Sequence, residues 1–148
     1  MRGKIMSMML ILILLGCVDS KSHKVYYSIF NETDKTVTVV GYNSKWNSEK
    51  KGMADPIYIA SHSHYKIVRI ISDDDHQNFY SLRNGGVDSV RVVFEDQKLL
   101  VYTWKDVRDG NAKALSIING QKVDDKHYAH HITEEDYAQA VDCEEDCY

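Results

Sequence analysis

The chain has 148 residues, 43 % of them hydrophobic, and sets 18 Lys and Arg against 22 Asp and Glu for a formal charge of −4. That is one domain, long enough to bury about two thirds of its unfolded surface, and its acidic balance argues against nucleic acid, which needs a basic face. Ten tyrosines, a single proline and many β-branched residues point to a mainly antiparallel β body.

At the start, Arg2 and Lys4 precede an apolar run over residues 5–15, which closes in Leu14-Leu15-Gly16-Cys17. The run is about half the ~20 residues needed to span a bilayer. Charged head, apolar stretch and small-residue cleavage site are the parts of an export signal. With a cysteine at the cut, the stretch resembles the lipobox of bacterial lipoproteins, whose cysteine is acylated while the leader is removed. An ordinary secretory signal with an incidental Cys17 is the plainer alternative, and Leu15 is bulkier than the residue usual at that lipobox position.

The expected organisation is a signal peptide over 1–16, a lipidated cysteine and tether over 17–24, and a domain over 25–148. Losing residues 1–16 leaves 132 of the 148, and losing Arg2 and Lys4 leaves 16 cations against 22 acids, a charge of −6. A body so charged is not drawn to anionic lipid by itself, so the membrane partner is reached through the lipid. Each buried methylene contributes about 0.8 kcal/mol, and lipoproteins of this type carry three chains. Val18 is not the aspartate that retains lipoproteins in the inner membrane, and residues 18–21 lack the clustered acids of surface export. The expected location is the bacterial outer membrane, facing the periplasm.

Along the domain, residues 25–30 alternate, 31–35 supply turn formers, and 36–42 read as the returning strand of a first hairpin. Residues 43–55 form a long polar loop. Short strands follow over 57–60 and 65–71, then an acidic connection over 72–78 and a short edge strand over 79–82. The most strongly specified unit is a hairpin of 89–95 with 98–104. A two-residue loop at Asp96-Gln97 pairs Glu95 with Lys98, although Gln97 suits that loop poorly and a longer one is open. Residues 105–126 are hard to read, with a helical turn over 112–118. A last strand over 127–132 leads into Thr133-Glu134-Glu135-Asp136, a capping box that predicts a helix from Glu134 to about Val141.

Residues 88–96, Tyr102-Thr103 and 132–138, taken with the lipobox and the opening strands, resemble segments of small uncharacterised lipoproteins of the Bacteroides group. The resemblance implies a compact, single antiparallel β-sandwich of immunoglobulin-like character with a short C-terminal helix. It brings no catalytic residues and no cofactor.

Several residues could still carry chemistry. Cys143 and Cys147 flank three acids, and paired thiols in an oxidising compartment form a disulfide. Free thiols, an intermolecular bond and metal ligation are the alternatives. In extended chain His62 and His64 project from one face roughly 7 Å apart, a workable pair of metal ligands. Polar turn and edge positions are the simpler reading. His127 and His131 share a strand face about 13 Å apart, with His130 pointing the other way. Asp73-Asp74-Asp75 lacks the alternating spacing of a calcium loop. No nucleophile elbow or phosphate-cradling glycine loop is present, and neither Ser61 nor Ser63 has an identifiable base. Tyr42 and Trp46, near the long loop, could stack on a sugar or a partner protein, or close the end of the core. These observations favour a non-enzymatic binding or accessory module of the cell envelope, its ligand a glycan or an envelope protein. An envelope hydrolase or metal-binding protein using His62 and His64 is the alternative.

Overall fold

The computed structural model describes residues 22–44, 52–72, 86–95, 97–143 and 147. The leader expected over 1–16, Cys17, Trp46, Asp73-Asp74-Asp75 and the strand expected over 79–82 lie outside them. Among the described residues nine strands make two sheets. The first, in spatial order, joins β4 (His64–Ser72), β1 (Ser22–Asn31), β8 (His127–Ile132) and β7 (Gln121–Lys122). The second joins β3 (Ile57–Ile59), β2 (Val37–Tyr42), β5 (Ser89–Phe94), β6 (Lys98–Thr103) and β9 (Val141–Asp142). Among the described residues three short helices join them: α1 (Trp104–Arg108), α2 (Ala112–Asn119) and α3 (Glu134–Gln139). Ile29 and Ile132 from the first sheet share one buried core with Val39, Val92 and Phe94 from the second and Ile117 and Ile118 from α2.

The first hairpin is not formed. β1 and β2 lie in different sheets, and residues 32–36 carry the chain between them as an arch. The alternation was read correctly, but it fixes which side chains turn inward and not which strand is the neighbour. Asn31 holds the arch. Fully buried, it donates through Nδ2 to the carbonyls of Lys35 (2.7 Å), Ala60 (2.9 Å) and Ile59 (3.2 Å), and its Oδ1 accepts from the Thr33 hydroxyl at 2.8 Å. Two of those carbonyls sit where β3 leaves for β4, which also changes sheet. One asparagine therefore stitches both crossings together at what we call the arch end.

β1 also starts earlier than expected. Ser22, His23 and Lys24 pair with Ser72, Ile71 and Ile70 of β4, so these three residues belong to the sheet and not to a tether. On its other side β1 runs parallel to β8, from Tyr26 opposite His127 to Asn31 opposite Ile132. The first sheet is thus not purely antiparallel, whereas every pair in the second is. A parallel pair needs a crossover, here supplied by the intervening second sheet and α2.

The central hairpin has its expected strands and a register shifted by one residue. Phe94 sits opposite Lys98 and Val90 opposite Tyr102, so the loop is residues 95–97 and not a two-residue turn. Gln97 takes the left-handed conformation (φ 65°), and its N–H reaches the Phe94 carbonyl at 3.0 Å, the geometry of a three-residue hairpin loop. The shift turns β6 over: Leu100 and Tyr102, not Leu99 and Val101, join Val90 and Val92 at the core.

Three caps set the helices. Thr103 opens α1, with the Asp106 carboxylate accepting from its N–H and hydroxyl, both at 2.7 Å. Asn111 opens α2 by accepting from the Ala114 N–H at 3.0 Å. Thr133 and Asp136 open α3, where the carboxylate accepts from the Thr133 N–H at 2.8 Å, and the helix ends at Gln139, short of Val141. Gly120 closes α2 at φ +84°, where an added Cβ would stand 2.9 Å from Cβ of Tyr128.

Candidate functional site

Two polar groupings stand out, one buried and one exposed. The buried one gathers behind β8. His130 is 3 % exposed; its Nδ1 lies 3.0 Å from Oγ of Ser116, which donates to the Ala129 carbonyl at 3.2 Å. With the hydroxyl hydrogen on that carbonyl, Nδ1 carries the imidazole proton and Nε2 is left as a buried lone pair without a donor. Burial pushes the imidazole down to about 4, partly offset by the Asp136 charge. Asp136 is 1 % exposed and takes hydrogen bonds from Lys113 Nζ (2.8 Å) and the Tyr102 hydroxyl (2.9 Å). Burial works to raise its carboxyl, but the donors Lys113, Thr133 and Tyr102 outweigh it and hold it below the usual range. Burial, with the Asp136 charge behind it, pushes the Tyr102 phenol well up.

Ser116 and His130 are thus a hydroxyl–imidazole pair that the sequence gives no means of finding, since they lie 14 apart on different elements. They are not built as a nucleophile and base. The hydroxyl is committed to a carbonyl, both side chains are buried, and Asp136 spends its oxygens on Lys113, Tyr102 and the α3 cap. The grouping ties α2, α3, β6 and β8 together.

The exposed grouping lies at the arch end. His62 Nε2 meets Asp34 Oδ1 at 2.7 Å, and His131 Nδ1 meets Glu32 Oε1 at 2.6 Å. Glu134 Oε1 accepts from the Asp34 N–H at 2.9 Å. Phe30 stands between His131 (ring centroids 4.8 Å, stacked) and His64 (5.5 Å). Three imidazoles and three carboxylates therefore crowd one end of the molecule, all but Glu134, the first residue of α3, on the loops and strand ends about the arch. Such a surface can exchange hydrogen bonds with hydroxyl-rich or amide-rich ligands.

The premise of the histidine pair does not survive. His62 is not in extended chain; it sits in the turn before β4 at φ 51° and faces Asp34, while His64 is on the strand and contacts Phe30. Among the described residues no group of three His, Cys, Asp or Glu side chains is placed to hold a metal ion. Cys143 and Cys147 are joined by a disulfide with Cα atoms 5.6 Å apart. Cys143 N–H reaches the Gln97 carbonyl at 2.8 Å, and the Cys147 carbonyl accepts from Arg91 Nη1 at 3.4 Å. Tyr42 is half-buried, with the Arg91 guanidinium 4.3 Å from its ring centroid and its hydroxyl 3.4 Å from Met53 Sδ. One face of that ring is already covered. No helix among the described residues is long and apolar enough to cross a membrane. Comparison with protein-family models, with curated proteins and with solved structures finds no match to this chain.

Proposed function

We propose that the protein is a lipid-anchored, non-enzymatic binding or accessory module of the cell envelope, an immunoglobulin-like sandwich held to the outer membrane through Cys17 and facing the periplasm. The observation that carries the binding role is the contrast between its two polar groupings. The buried one is spent on architecture, while the arch end exposes His62, His131, Asp34 and Glu32 as paired donors and acceptors. β1 runs from the anchored side to that end, so the grouping lies at the far end of the strand from the tether. A glycan, or a polar patch on an envelope protein, is the partner such a surface suits.

The test is binding of the full protein to glycan arrays and to envelope extracts, repeated with His62→Ala/His131→Ala. A specific ligand whose affinity falls at least tenfold in the double variant, with unfolding unchanged, is the expected result. A ligand that binds both proteins equally would place recognition elsewhere.

A further inference from the structure

On the reading that Cys17 carries the anchor, chain length restricts how the domain can sit. β1 begins at Ser22, and the five residues from Cys17 reach at most about 18 Å when fully extended. The start of β1 and the end of β4, which pairs with it, are therefore held close to the headgroups.

The surface offered there is distinctive in its charge. β1, β4, β7 and β8 contain no Asp or Glu at all, in a chain that is acidic as a whole. On their outer face Lys24 pairs with Ile70 and Tyr26 with Val68. Lys66 Nζ lies 4.6 Å from the Tyr26 ring centroid, and the Lys126 carbonyl accepts from the Tyr26 N–H at 2.7 Å. Among the described residues Lys24 and Lys66 make no ion pair, whereas the Lys126 charge helps to hold the Asp125 carboxyl low and its N–H donates to Asp124 Oδ1 at 2.8 Å. Ile70 is 68 % and Val68 46 % exposed. Elsewhere on this end the rim carries exposed Asp55 and Asp88, while Asp124 and Asp125 are engaged by His127 and Lys122.

We infer that the tether half of this outer face rests on the bilayer that holds the anchor, with Lys24 and the Lys66 ammonium over Tyr26 against lipid phosphates and Val68 and Ile70 in the headgroup layer. Long cationic side chains over apolar neighbours suit an interface of that kind, and the tether supplies the effective concentration that two lysines alone do not. The arch end, roughly 30 Å along β1 from Ser22, stays in solvent.

The test uses cell-derived protein in nanodiscs of phosphatidylethanolamine and phosphatidylglycerol, after mass spectrometry has established the acyl chains on Cys17. A bimane probe is attached through Ile70→Cys or, on the other sheet, Tyr58→Cys, and is quenched by headgroup-depth doxyl lipid. Quenching at position 70 should exceed that at 58 at least threefold. Lys24→Gln and Lys66→Gln should each lower the docked-to-free ratio about fivefold. Equal quenching at the two positions, with the acyl chains in place, overturns the docking and leaves the anchor standing. Absence of the acyl chains overturns the anchor reading itself.

Discussion

His130 shows how one side chain sets a pH response. Its folded pKa is about 4 against an unfolded 6.5, so the unfolded chain binds the extra proton between those values. Stability is complete above pH 6.5 and falls as pH drops toward 4, by about 3 kcal/mol. Denaturant titrations from pH 7 to 4 should show that loss, and His130→Gln should flatten the curve over the same window. A slope unchanged in the variant would mean that another group titrates there. Asp136 has the opposite sense of shift, since its carboxyl is held low; its contribution persists above its unfolded pKa and is lost only in stronger acid. Asp136→Ala should cost about 2–4 kcal/mol, because it strands the Tyr102 hydroxyl and Lys113 and removes the α3 cap. The exposed His62–Asp34 and His131–Glu32 pairs contribute about 0–1 kcal/mol each, which is why their removal tests binding without testing the fold.

Among the elements, Gly120 gives the sharpest expectation. Gly120→Ala forces a side chain into left-handed backbone and against Tyr128, at a cost of about 1–3 kcal/mol readable as a lower Tm; a variant as stable as the parent would mean that α2 can re-close another way. The elements differ in how far the sequence disclosed them. The α3 cap was legible because Thr133 and Asp136 carry both halves of the signal. The same spacing at Thr103 and Asp106 marks α1 and went unread, because residues 98–104 already read as one strand. The hairpin register turned on a single residue: Gln97 adopts a left-handed conformation that its side chain does not announce. The parallel pairing of β1 with β8 joins segments about a hundred residues apart, and nothing local in either encodes it. The arch-end site was invisible for that reason too. His62 was legible as a candidate, but its partner Asp34 becomes a neighbour only when Asn31 folds the two crossings together.

For the molecule as a whole, the Cys143–Cys147 bond closes only a short loop, so the chain-entropy model gives it roughly 2 kcal/mol. Reduction should lower Tm by on the order of 5 °C and leave the two sheets folded; global unfolding on reduction would show that the tail does more than secure β9. The larger claim joins the ends of β1. With Cys17 acylated as proposed, one end would follow a lipid anchor, and the other would present paired imidazoles and carboxylates to the periplasm. Everything about placement depends on the thiol at Cys17, and intact mass spectrometry of the protein purified from its native cells reads that thiol most directly. The account predicts a chain that begins at Cys17 and carries acyl groups on it, recovered with the membrane. A chain retaining residues 1–16, or a processed chain with a bare thiol, would contradict it.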